Sequence, residues 1–271
     1  SAPLPPAEPC GTVENAAPPD SILALFARAS VPYLPLDELR KIDWSYRDSR
    51  GRNAVHWSVR VGNPSATMGM VQGHAPIDLP DVDGVTPLMV ALGRADAWHA
   101  EVLLDAGANA RAANATGQTP LMYLAASCTP VNGAGTTLRA PEAALLRLVK
   151  EGADLDAQDR RGHTALMHAT RGSGLRVRDL LAAGANPHLV DQAGRTALQI
   201  AALTPASPDN GYIRALLELA SAEADWSALP PESREANLAE VEALASLRER
   251  NDPARPLELP ADSVFILPLR P

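Results

Sequence analysis

The sequence predicts an all-α solenoid of short helix-turn-helix units joined by β-turn fingers. Three observations carry this. Glycine recurs at a near-fixed interval: Gly51, Gly84 and Gly117 are 33 residues apart, Gly162 follows 45 later, and Gly194 another 32 on. Each glycine sits in one frame. Asp81-Val-Asp-Gly84-Val-Thr-Pro-Leu88 aligns with Asn114-Ala-Thr-Gly117-Gln-Thr-Pro-Leu121. Asp159-Arg-Arg-Gly162-His-Thr-Ala-Leu166 and Asp191-Gln-Ala-Gly194-Arg-Thr-Ala-Leu198 repeat it, and Asp48-Ser-Arg-Gly51-Arg-Asn-Ala-Val55 is a degenerate copy. A second motif, Gly-Ala followed by Asn or Asp, starts ten residues before three of them, at Gly107, Gly152 and Gly184. Self-similarity at such a period marks an array in which each unit contacts its neighbours. With aromatics at only 4%, the small side chains suit closely packed helices.

Residues 1–19 hold six prolines and no periodic apolar pattern, and read as an extended leader. Residues 20–47 read as an N-terminal capping unit. Asp20 or Ser21 caps a short helix through Ala29, and Leu36 to Lys41 makes a second, opened by Pro35. A cap covers the apolar face that an end repeat otherwise exposes.

Five repeats follow, at 48–80, 81–113, 114–158, 159–190 and 191–220. In the four regular copies threonine caps the first helix, proline or alanine follows, and leucine points into the stack, while the degenerate first copy has Asn53, Ala54 and Val55 there. The second helices carry Leu103-Leu104, Leu145-Leu146, Leu180-Leu181 and Leu216-Leu217. The Gly-Ala motif at Gly107, Gly152 and Gly184 ends the second helix that precedes it, because glycine tolerates a left-handed cap. Asp or Asn then opens the next turn. The third repeat is longer (45 against 33 residues between glycines), and its excess falls at Cys128 to Pro141. The fifth has a shorter loop at Thr204 to Gly211. Residues 221–271 read as a C-terminal cap and tail. A charged helix over 231–250 aligns Leu238, Val241 and Leu244 on one stripe. Val264 to Leu267 is an extended apolar segment that packs back on the array or adds to a partner's sheet edge.

Over residues 48–220 these motifs resemble the ankyrin repeat. The resemblance implies protein binding through the turn fingers and the exposed side of the first helices. In that family the Thr-Pro-Leu motif ends in a histidine that hydrogen-bonds the neighbouring turn. Here His56 holds that place in the first repeat, and Met89, Met122, Met167 and Gln199 hold it in the others. Methionine can fill the site by packing alone.

A net charge of −8 and a pI near 5.3 argue against bulk attraction to nucleic acid or an anionic membrane. No apolar run approaches the roughly 18 residues of a membrane span. The sequence shows no H-E-x-x-H, G-x-S-x-G, P-loop or C-x-x-C motif, so a non-enzymatic protein without cofactor is expected. Gly133-Ala-Gly135 lacks the lysine of a phosphate cradle and reads as a flexible loop. His163 and His168 lie five apart, on a finger and a helix, with no third ligand at suitable spacing, so no metal is expected. The repeat-opening Asp48, Asp81, Asn114, Asp159 and Asp191 read as turn-formers that bond their own downstream backbone.

The finger positions instead carry a candidate recognition surface. Arg50, Arg52, Asp83, Val85, Gln118, Arg160, Arg161, His163 and Arg195 flank the glycines. Arg60, Arg94 and Arg171 stand at the ends of first helices, and Trp44 and Tyr46 lead into the first finger as candidate anchors. Trp57 reads as a packing residue. Together they form a basic strip along the concave face of an acidic protein, and imply a partner with an acidic patch. The other reading leaves the arginines solvated or paired with repeat-opening aspartates, for about 0–1 kcal/mol each.

Two classes of function remain. The sharper is an exported bacterial inhibitor or immunity-type protein, monomeric when free, that covers the active site of a partner enzyme. The chain starts at Ser1, which points to a processed or trimmed form, and arginine outnumbers lysine as in GC-rich bacteria. A Cys10–Cys128 disulfide would pin the leader across the array, which requires an oxidising compartment such as the periplasm. The alternative is a cytoplasmic or host-directed scaffold that recruits without inhibiting.

Overall fold

The computed structural model describes residue 44 and residues 46–127, 140–204, 210–222 and 225–239. The leader, most of the capping unit at 20–47, both cysteines and the 264–267 segment lie outside the described residues. The chain forms two compact units, residues 1–144 and 145–271. Among the described residues the regular structure is helical, without strands.

In the first unit, α1 (Ala54–Val61) and α2 (Pro64–Gln72) belong to the first repeat, and α3 (Pro87–Gly93) and α4 (Ala97–Asp105) to the second. The third repeat contributes α5 (Pro120–Ala126) and α6 (Ala140–Lys150), and the division by residue number falls within α6. First helices stack on first helices, α1 on α3 on α5, and α2 packs on α4. Two layers result, with Val55, Leu88, Leu121, Met89 and Met122 between them at 0–1% exposure. Full burial of such a side chain contributes about 2 kcal/mol. Thr86 and Thr119 cap α3 and α5 by accepting from Met89 N–H and Met122 N–H, and Pro87 and Pro120 occupy the first turn.

The second unit repeats the plan. Its helices are α7 (Ala165–Ala169), α8 (Gly174–Ala183), α9 (Ala197–Leu203) and α10 (Asn210–Ala222). Here α7 packs on α9 and α8 on α10. A 3-10 turn (Trp226–Ala228) and a helical stretch over 231–239 close the described chain. Trp226 is fully buried and donates its indole N–H to the Leu181 carbonyl at 3.0 Å. Arg234 lies across Gly184 and donates to the Ser227 carbonyl at 3.0 Å. Leu238 is buried as its place on the stripe predicts, while Val241 and Leu244 lie outside the described residues.

Three local expectations change. Pro141, expected in the inserted loop, lies in the first turn of α6, where a missing N–H costs nothing. Gly211, expected in a loop, is the second residue of α10. Leu146 is 59% exposed while Leu145 is buried, because two adjacent helical residues point about 100° apart and only one of them faces the stack here.

Candidate functional site

Every finger is made by its opening Asp or Asn. Oδ1 of Asp81 accepts from the Asp83 and Val85 N–H at 2.9 and 2.8 Å, and Asn114 does the same for Thr116 and Gln118 at 2.9 and 2.8 Å. Asp48, Asp159 and Asp191 form equivalent pairs with their own downstream backbone. Adjacent fingers are tied to each other. Val82 N–H donates to Arg50 O at 2.9 Å and Ala115 N–H to Asp83 O at 2.8 Å in the first unit, and Gln192 N–H donates to Arg161 O at 2.9 Å in the second. Below them, His56 Nε2 lies 2.9 Å from the Val85 carbonyl of the next finger, the bond the family motif implies.

The second carboxylate oxygen differs from finger to finger, and this decides what reaches the surface. Asp48 Oδ2 accepts from Arg52 Nε at 2.7 Å and Trp57 Nε1 at 3.1 Å, and the Arg52 guanidinium lies 4.4 Å from the Trp57 ring centroid. Asp191 Oδ2 accepts from Arg195 Nε and Nη2 at 2.9 and 2.7 Å. Asn114 Nδ2 donates to Gln118 Oε1 at 3.1 Å and Tyr123 Oη at 3.0 Å. In the fourth finger Asp159 Oδ2 lies 3.0 Å from His168 Nε2, and His163 Nε2 faces Asp191 Oδ2 of the next finger at 3.4 Å.

These contacts set the charge states. Burial alone would raise the Asp48, Asp159 and Asp191 carboxyls. The hydrogen bonds from backbone N–H and from Arg52, His168 and Arg195 respectively outweigh it and hold all three below the ordinary range. Burial pushes His163 down, and the neighbouring His168 adds to that. His56 is lowered chiefly by burial.

Arg52 and His163 therefore leave the recognition surface predicted for them. Arg52 is 4% exposed and His163 8%, since each lies inward against a finger carboxylate. Trp57 is buried between Asp48 and Arg52, and serves packing. Arg195 is half-exposed but committed to Asp191. Arg60 is half-buried beside Trp57. Val85 and Gln118 are half-buried in their turns. Trp44 is half-buried, its ring close to Gly73 at the end of α2, and Tyr46 is half-buried with its carbonyl accepting from Arg47.

Arg50, Asp83 and Arg94 are exposed in the first unit, as is Val82 at 64%. Arg160, Arg161 and Arg171 are exposed in the second. Among the described residues these last three side chains have no ion pair. The sequence reading also left His163 and His168 without a third ligand. The finger turn supplies one, because Asp159, His163 and His168 each present a ligand atom within 4.8 Å of the others.

Tied turn fingers and paired, double-layered helices define a helical repeat protein. The comparisons agree. Residues 138–229 match the family model of ankyrin repeats in three copies. The mouse protein ankyrin repeat and SOCS box protein 16 is 36% identical over 118 residues, which is 43% of this chain. The match spans 25% of that relative's length. Over these stretches the chain is similar to ankyrin-repeat proteins.

Proposed function

We propose that this protein binds an acidic surface on a protein partner through exposed finger and first-helix arginines. Ankyrin repeats are protein-interaction modules, and the particular observation is the division among the arginines here. Arg52 and Arg195 are consumed by finger carboxylates, whereas Arg160, Arg161 and Arg171 stand exposed without one. Each guanidinium offers a planar fork suited to a carboxylate. The fingers are preformed by backbone bonds, so docking orders little and costs little entropy. On the first unit Arg50, 3.9 Å from Asp83, and the exposed Val82 lie on adjacent, bonded fingers, and Arg94 is exposed at the end of α3.

The test is affinity capture with wild type and with an Arg160→Glu, Arg161→Glu, Arg171→Glu variant. A partner held by wild type and lost by the still-folded variant supports the reading. Equal retention of the partner overturns it. Inhibition is the finer reading, and it rests on the proline-rich leader and the two cysteines of the sequence. It requires that the captured partner be an enzyme whose turnover falls on titration with this protein. Two free thiols in the denatured, unreduced protein would remove the pinned leader and favour a cytoplasmic scaffold.

A further inference from the structure

We infer that Asp159, His163 and His168 form a binding site for one divalent first-row transition ion such as Zn2+, held by a carboxylate oxygen and one nitrogen from each imidazole. The three ligand atoms lie within 4.8 Å of one another, on residues that are buried (Asp159, His163) or half-buried (His168). Two nitrogens and an oxygen are a donor set that zinc, cobalt or nickel accepts, whereas magnesium and calcium prefer oxygen shells. A tetrahedral ion with bonds of about 2.0–2.1 Å spaces its ligand atoms roughly 3.3 Å apart. Asp159 Oδ2 and His168 Nε2, 3.0 Å apart, are already close to that spacing.

The surroundings hold the ligands as a metal needs them held. Asp159 Oδ1 is fixed by the Arg161 and His163 N–H at 2.8 and 2.9 Å, which leaves Oδ2 for the ion. His163 Nε2 faces Asp191 Oδ2 at 3.4 Å, which leaves Nδ1 to ligate. A carboxylate behind the far nitrogen is the usual way a ligating imidazole is oriented. When the ion binds, the proton that His168 Nε2 shares with Asp159 moves to Nδ1.

The other repeats provide the control. At the places of His163 and His168 they carry Arg52 and Trp57, Val85 and Val90, Gln118 and Tyr123, or Arg195 and Ile200. None of these pairs offers two metal ligands. The third repeat nevertheless builds a satisfied finger from Asn114, Gln118 and Tyr123. His163→Gln with His168→Tyr therefore transplants side chains that this fold already accepts.

The experiment titrates untagged full-length protein with CoCl2, followed by visible absorption, and then competes with ZnCl2. The expected result is saturation at one equivalent, displacement by zinc, and a raised melting temperature with metal. The double variant should bind roughly tenfold or more weakly with unchanged far-UV circular dichroism. His163→Gln alone gives a second variant should the double one misfold. No saturable cobalt signal in wild type overturns the inference, as does equal affinity in a folded variant.

Discussion

The Arg52 guanidinium lies 2.7 Å from the Asp48 carboxylate, with the two side chains only 5% and 9% exposed. A pair so enclosed belongs to the stability of the first finger. Arg52→Ala leaves Asp48 charged and short of its partner, and should cost about 3 kcal/mol in urea unfolding. Arg160→Ala, on an exposed finger tip, should stay within about 0.5 kcal/mol. Equal effects at the two sites would overturn the assignment of Arg52 to the core.

Two left-handed glycines, Gly62 at the C-terminal cap of α1 and Gly84 in the second finger, are required for separable reasons. Gly62 and Gly84 both have left-handed backbones, at φ 70° and 79°. A Cβ on Gly62 meets nothing within 4 Å, so Gly62→Ala should cost only the backbone penalty of about 1 kcal/mol. A Cβ on Gly84 would stand 2.7 Å from the Ala115 amide nitrogen. That amide is bonded to Asp83 O, so Gly84→Ala must also spread two tied fingers. Denaturant melts of the two variants should differ by at least about 1 kcal/mol.

The repeats were legible because their signals are local. Thr86 and its helix lie within one turn of chain, and Asp81 bonds only as far as Val85. The fate of each finger arginine was not legible from that pattern. Arg52 and Arg195 occupy the same place, four residues after the finger aspartate. Arg52 is drawn inward because Trp57, five residues on, offers an indole face, while Ile200 offers Arg195 none. Asp159 escaped notice as a partner of His168 for a similar reason. Their contact spans nine residues and depends on how the turn aims onto α7. Trp226 gave no periodic signal at all, since its role is to plug a space between elements.

His56 should give the first unit a pH dependence that the methionine repeats lack. Its folded pKa is lowered chiefly by burial, so the native ring is neutral. The sign follows. The stabilisation is present above the unfolded pKa of about 6.5 and is lost as pH falls through the lower folded value. Asn53 Oδ1, 2.7 Å from Nδ1, can accept from a protonated ring and makes the loss shallow. His56→Met should cost about 1 kcal/mol at pH 8 through the lost bond to Val85 O. The gap to wild type should narrow between pH 7 and pH 5. Carboxylates titrate alike in both proteins and cancel in the difference, so a gap that stays constant would refute the assignment.

Trp226 tests whether the turn after α10 belongs to the fold of the second unit. Its side chain is fully buried, and the indole N–H reaches the Leu181 carbonyl at 3.0 Å. That carbonyl also accepts from Gly184 N–H, so it is not orphaned when the indole is removed. Trp226→Phe should then cost about 1 kcal/mol for the hydrogen bond plus a smaller packing loss. Trp226→Ala also empties a cavity beside α8, and should cost about 3–5 kcal/mol. The excess of the alanine over the phenylalanine variant isolates packing from hydrogen bonding. Unfolding curves that place both variants within 0.5 kcal/mol of wild type, on the usual scale of surface changes, would mean that the turn covers the last helices without stabilising them.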